Sequence, residues 1–394
     1  MSFHWTDLEV RQALGLNLDR ADDALAFSGV CTDTRRLEEG SLFVALRGEH
    51  FDAHDFVTEA LAKGAAAAVV SREVSAEDST RLYPVEDTLK ALGALARHRR
   101  QALKTRVVGI TGSSGKTTTK DFLREALRGS LRVHATTGNL NNRIGLPLTL
   151  LNAPDNAQVL VLEMGTNEPG EIGILSRIAA PDMGIITTVS EAHLEKLGSV
   201  QGVLDEKLDL LRGLPPGGVG VVGDEPSVLA EAAREVVKEL RVAGWTEEAD
   251  EGLRPDHAEV TPRGCYRFRW KGEEVRLSIP GRHSVQNALL ALAAAESLGV
   301  PASDAAPRMG RVEPEGMRSE IRLLGLAPRF PHRLQVTAHL LVAEVGELAG
   351  PTERPPGTCP AELPPSVHQV GGGHLLDADV EGEMGRGSRI VVSQ

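Results

Sequence analysis

The stretch "VVGITGSSGKTTTKDFL", Val107 to Leu123, decides the fold class of this chain. It opens on an apolar run of strand length and closes, from Lys116 onward, on residues with helical character; between them lie Gly112, Ser113, Ser114 and Gly115. Small residues at such a junction let backbone N–H groups turn inward around phosphate oxygens. Lys116 adds a point charge, Thr117 a hydroxyl suited to Mg²⁺, and the helix start its positive dipole end. Gly112 through Thr118 therefore read as a P-loop, with one departure: Ile110 stands where the generic pattern has glycine six residues before the lysine. A glycine turn with an incidental lysine is the bland alternative, and it must bring strand, loop, Lys-Thr and helix together by chance.

Working outward, short apolar strands alternate with helical patterns through the first 300 residues or so. Upstream, "SLFVAL" (Ser41 to Leu46) reads as a strand, "HDFVTEALAKGA" as a helix and "AAAVV" as a strand, a small α/β unit ending near Arg72. "TLKALGALARHRRQAL" reads as a linking helix. Downstream come strands "QVLVLEM" and "DMGIITTV", with helices at Lys116 to Arg128, Gly170 to Ile178 and Val200 to Leu211. Such repetition predicts an α/β fold with a doubly wound, mainly parallel sheet. The pair "CYRFRW" and "EVRLSIPG" reads as a hairpin at that sheet's edge, and "SVQNALLALAAAESLGV" as the closing helix.

Composition narrows the function. The 394 residues exceed what one core usually organises, so two or three domains are expected. Aromatic content of 3% suits helices packed on parallel sheets better than an aromatic-rich sandwich. A formal charge of −12 argues against a broad nucleic-acid or anionic-membrane surface, so any phosphate site is local. Cys31, Cys265 and Cys359 are too dispersed for a disulfide framework or thiolate zinc site. With acidic residues where a signal peptide would be apolar, and no segment of about 20 apolar residues, a cytoplasmic protein is expected.

Three further residues gain weight only from context. Glu163 ends the strand in "VLVLEMGTNEPGEI", where an acid beside the P-loop strand can reach a metal held by Thr117. Taken alone it is a solvated strand-end acid. His193 follows the next strand, and Lys207 lies within a helix; singly they read as a solvated loop histidine and a surface lysine.

The ordered segments "GSSGKTTTK", "TTGNLNNRIGLPLTLL", "LEMGTNEPGEIGILSRIAAPD" and "AHLEKLGS…K" resemble the Mur ligases of peptidoglycan synthesis, and within them the branch that joins D-alanyl-D-alanine to UDP-N-acetylmuramoyl-tripeptide. "GVCTDTRRLEEGSLFVALRGEHFDAHDF" is similar to that family's UDP-binding N-terminal domain. The likeness runs from about Ser28 to Gly325. It implies residues 1–85 as a UDP-substrate domain, 86–308 as a P-loop ATP-binding domain and 309–325 as the start of a Rossmann-like C-terminal domain.

The resemblance also implies roles. Lys116 and Thr117, with the amides of Ser114 and Gly115, would hold ATP phosphates and the first Mg²⁺; Glu163 would ligate Mg²⁺ and His193 a second Mg²⁺. Lys207 falls on the lysine that takes up CO₂ as a carbamate. Asn139, Asn141 and Asn142 would lie by the substrate and γ-phosphate, and Thr34 and Arg35 by the uridine nucleotide. His283 and Asn287 match a motif beside the ATP base, and Arg318 an arginine entering from the C-terminal domain. An acyl-phosphate ligase acting as a monomer is implied, with Lys116, His193 and Lys207 as its catalytic set.

Departures are Ala53 for a usual glycine, Ser284 for asparagine, and Leu208-Asp209 for the common Gly-Glu. The large one follows Gly325, where the family continues into an aspartate-rich strand and a dipeptide-binding domain. Residues 326–394 instead carry eight prolines in 69 residues and one helical stretch near Val336 to Leu348. Prolines at that density break helices and ladders, so a poorly structured tail is expected, read as a shift of reading frame. The competing functional reading is a binding remnant that holds nucleotide and UDP-substrate without ligating.

Overall fold

The computed structural model describes residues 5–74, 79–191 and 194–313, with strands Glu320–Arg322, Gln369–Val370, Gly373–Leu376 and Ile390–Ser393. Two compact units divide the chain, Met1–Glu313 and Pro314–Gln394.

The centre of the first unit is a six-stranded sheet in the order Glu239–Ala243, Val219–Gly223, Met183–Ile186, Arg106–Thr111, Val159–Glu163, Val133–Ala135, with every neighbouring pair parallel. A parallel sheet needs cover on both faces, and alternating residues supply it. Val108, Ile110, Val159 and Val161 join one core with Phe122, Leu123 and the alanine- and leucine-rich helix Arg282–Ser297. Val107, Leu160 and Leu162 join the other with helices Thr88–Ala102, Gly145–Leu151 and Glu171–Ala179. Strand order reverses about the P-loop strand: the chain goes first to the Val133–Ala135 edge, back through Val159–Glu163, then across to Met183–Ile186. Crevices for ligands open outside the carboxyl ends at such a reversal.

A smaller all-parallel sheet lies upstream, Val30–Cys31, Leu42–Val44, Ala67–Val70, Leu82–Pro84, paired in chain order. Its Leu42, Val44, Ala67 and Val69 share a core with the linking helix and with central-sheet Leu160 and Leu162, so apolar packing continues across residue 85.

The expected edge hairpin is corrected. Cys265–Trp270 and Glu273–Pro280 pair antiparallel, but with Asp256–Val260 they form their own three-stranded sheet. The third strand escaped notice because all five of its residues are exposed and show no apolar alternation. Strand Val133–Ala135, of three residues, Val219–Gly223, with two glycines, Glu239–Ala243, interrupted by Glu239 and Arg241, and the seven-residue helix Gly145–Leu151 also went unread.

In the second unit the four strands pair antiparallel, in the order Glu320–Arg322, Ile390–Ser393, Gly373–Leu376, Gln369–Val370. The stretch Val336 to Leu348 lies outside the described residues.

Candidate functional site

At the carboxyl end of Arg106–Thr111 the chain turns through Gly112 to Gly115 and enters helix Lys116–Leu127. Gly115 has φ 79° and, as a glycine N-cap, makes no side-chain cap bond, so the helix brings its positive end to the loop. The loop is clamped from the exit of the neighbouring strand. The Ser113 N–H donates to the Thr188 carbonyl at 2.9 Å, the Ser190 N–H to Ser113 Oγ at 3.0 Å, and the Thr187 hydroxyl to the Ser114 carbonyl. A Cβ on Gly112, whose φ is 151°, would stand 1.8 Å from Thr187 Oγ1; one on Gly115 would stand 2.4 Å from Asn287 Oδ1. Only glycine fits at either position.

The expected partners of the loop converge. Thr117 Oγ1 donates to Glu163 Oε2 at 3.0 Å, and Asn141 Nδ2 donates to Glu163 Oε1 at 2.9 Å. Parallel pairing brings this about, since Glu163 is in register with Ile110. Glu163 is 3% exposed, and its own N–H donates to Thr136 Oγ1 at 3.0 Å. Lys116 Nζ donates to the Gly112 carbonyl at 2.7 Å, folded back over the loop.

Lys207 sits on helix Val200–Arg212, 1% exposed, and no hydrogen bond or ion pair to it is found among the described residues. Burial first, and then the positive charge of Lys116, push its pKa down to about 8, against the opposing charge of Glu206. The surface lysine of the bland reading is thus a buried amine close enough to feel the P-loop lysine.

Other expected residues are placed as follows. Asn142 Oδ1 accepts from the N–H groups of Ile144 and Gly145 at 3.0 and 2.9 Å, serving the start of helix Gly145–Leu151, while Asn139 is exposed. Thr118 is half-buried in the first turn of the P-loop helix. His283 is exposed in the first turn of Arg282–Ser297, and Asn287, a turn later, is buried against Gly115. In the turn that follows strand Val30–Cys31, Thr34 is half-buried and the exposed Arg35 forks onto Asp33, holding that carboxyl at about 2. His193 and Arg318 lie outside the described residues.

Sequence reasoning missed Thr187, Ser190 and Glu206. No local signal marks them, because each acts on a residue at least 34 positions away. It also missed Asp52, His54 and Ser71, which tie two loop ends of the upstream sheet. His54 Nε2 accepts from the Ser71 N–H at 2.8 Å, which leaves the ring proton on Nδ1, 2.5 Å from Asp52 Oδ1.

The Thr117–Glu163 pair fits Mg²⁺. Its donors are hard oxygens, and Mg²⁺ at phosphate sites takes one or two protein oxygens and completes its shell with phosphate and water. Among the described residues no group of three or more His, Cys, Asp or Glu could form an all-protein cage.

A glycine-containing loop that enters a helix N-terminus at the reversal point of a parallel sheet, beside an acid and a buried lysine, defines a P-loop protein of the doubly wound class. Comparison with known proteins carries this further. The Mur ligase middle domain matches residues 110–295 and the Mur ligase family catalytic domain residues 26–100. The UDP-N-acetylmuramoyl-tripeptide–D-alanyl-D-alanine ligase of Bacillus subtilis is 42% identical over 297 residues, 74% of this chain and 64% of that protein. MurF from Acinetobacter baumannii superposes with a TM-score of 0.74 at 34% identity, covering 83% of this chain and 72% of that one. The MurF ligase of Thermotoga maritima, solved in complex with ADP, gives 0.66 at 30% identity, over 75% and 68%. The chain belongs to the Mur ligase family. It spans just under two thirds of the length of the Bacillus relative.

Proposed function

We propose that the protein is an ATP-dependent amide ligase of peptidoglycan synthesis that joins D-alanyl-D-alanine to UDP-N-acetylmuramoyl-tripeptide through an acyl phosphate. The observation that carries the reading is the Thr117–Glu163–Asn141 chain of hydrogen bonds at the mouth of the P-loop, with buried Lys207 nearby. The relatives' names supply the substrates, and use of a UDP-linked precursor with ATP supports a cytoplasmic location.

In this reading residues 1–85 hold the uridine nucleotide through Thr34 and Arg35, and residues 86–308 hold ATP. The amides of Gly112 to Gly115, Lys116 and Thr118 would receive its phosphates, and His283 and Asn287 would lie beside its base. Two anions must meet, the tripeptide carboxylate and the γ-phosphate, so catalysis is positioning plus charge neutralisation. Bound Mg²⁺ supplies neutralisation that no side chain can match. Thr117 and Glu163 would hold one ion, and His193 with Lys207, once CO₂ has converted its neutral amine to a carbamate, a second. Lys116 stabilises the transferring phosphoryl group, and Asn139, Asn141 and Asn142 orient the carboxylate. The carboxylate oxygen bonds to the γ-phosphorus as ADP leaves; the dipeptide amine then bonds to the carbonyl carbon, and inorganic phosphate leaves.

The proline-dense sequence after about Gly325 favours a second reading, a remnant that holds nucleotide and UDP-substrate without ligating. Residues beyond about Gly325 are then a shifted reading frame; resequencing the locus and finding the frame intact would sink the shift. Phosphate release separates the two readings. Release that requires both UDP-muramoyl-tripeptide and D-alanyl-D-alanine supports ligation, and release indifferent to the dipeptide supports the remnant.

A further inference from the structure

Glu206 has no part in the chemistry above, yet it is 6% exposed and fully engaged. Its carboxylate accepts from the N–H of Gly170 at 2.6 Å, the N–H of Ile172 at 2.8 Å and the Thr166 hydroxyl at 3.3 Å. Those donors belong to the loop that follows Glu163 and to the start of helix Glu171–Ala179, which has no side-chain cap of its own at Gly170. Glu171 stitches the same loop locally, accepting from the N–H groups of Asn167 and Glu168 at 2.7 and 3.1 Å. Glu206 instead arrives from helix Val200–Arg212, where the next residue is Lys207.

A carboxylate beside a buried lysine would ordinarily pair with it. Here it is committed to another element. The two helices are also close packed, since a Cβ on Gly173 would stand 3.2 Å from Asp209 Oδ2. We propose that Glu206 is a positioning residue: it braces the Met164–Gly170 loop against the helix carrying Lys207, fixing the spacing between Glu163 and Lys207 across the site. The catalytic consequence rests on the ligase reading; the brace does not.

The test uses the full chain with Glu206→Ala and Glu206→Gln, followed by hydrogen exchange and by binding of a fluorescent ADP analogue across a Mg²⁺ titration. Loss of the carboxylate should speed exchange at the amides of residues 166–172 about 10-fold or more while the P-loop amides 112–117 stay as in the parent. The Mg²⁺ needed for half-maximal nucleotide binding should rise about 10-fold, as when the support behind a metal-ligating group is removed, with Mg²⁺-free affinity held within about twofold. Glu206→Gln retains one acceptor oxygen and should fall between, and it carries the test if the alanine variant does not fold. Unchanged exchange at 166–172 would overturn the brace, and so would equal losses of nucleotide affinity with and without Mg²⁺, which mark general damage. None of these readouts uses ligation, so a chain that never ligates would refute the proposed activity and leave this inference standing.

Discussion

Two helices leave neighbouring strands of the central sheet in the same way and acquire opposite electrostatics. Lys116–Leu127 follows Arg106–Thr111 through Gly115 at φ 79°, ψ −3°; Glu171–Ala179 follows Val159–Glu163 through Gly170 at φ 84°, ψ −2°. Neither has a side-chain cap at its own N-cap residue. The first has no acid in its opening turn and carries Lys116, so its positive end is open to an anion. The second opens with Glu171 and receives the carboxylate of Glu206, so its anion is built in. Backbone geometry alone therefore does not make a phosphate site. What matters is whether the protein has already filled the helix end.

Removing the charge of Lys116 takes away most of what distinguishes the open helix end. Lys116→Ala should cut substrate-dependent phosphate release by about a thousandfold or more, because the open end would keep its amides and lose its charge. Phosphate assay at saturating ATP reads this directly.

Lys207 sharpens the comparison next, as a buried cation that neither helix end uses. Its displacement from 10.5 to about 8 corresponds to about 3 kcal/mol of penalty for the charged form. Because the folded-state value is the lower one, that penalty is full below about pH 8 and fades as the pH rises to 10.5. In CO₂-free buffer Lys207→Met should therefore raise stability by up to about 3 kcal/mol at pH 7, with a shrinking gain above pH 8, while abolishing ligation. Denaturant melts at pH 7 and pH 10 check the sign.

The paired glycines give the smaller effects. Gly115→Ala meets both an unfavourable φ and Asn287 Oδ1 at 2.4 Å, and should weaken nucleotide binding about tenfold in the parent and by less when made in, and measured against, Asn287→Ala. Gly170→Ala meets only the backbone penalty, since nothing lies within 4 Å of its Cβ position. It should cost about 1 kcal/mol of stability, read by thermal melts, and leave nucleotide affinity unchanged.

Much of this is written locally in the chain. The P-loop, its strand and its helix are contiguous, so spacing alone places Gly112 to Thr117, and the strand carrying Glu163 is a plain apolar run. Contacts made by parallel pairing are not local. The Thr187 clamp on the loop and the Glu206 hold on Gly170 bridge 73 and 36 positions, and nothing in "GIITTV" or "LDEKLDLL" marks them. The exposed strand Asp256–Val260 carries no alternation to read. Lys207 was singled out through the family's pattern; its burial and lowered pKa are tertiary properties.

Delivery of a phosphoryl group from the open helix end to a peptide carboxylate is read most directly by hydroxylamine trapping. Incubated with ATP, Mg²⁺, UDP-muramoyl-tripeptide and hydroxylamine, the protein should form the tripeptide hydroxamate in step with ADP, and Lys116→Ala should form none. ATP turnover that ignores the tripeptide and yields no hydroxamate would contradict it.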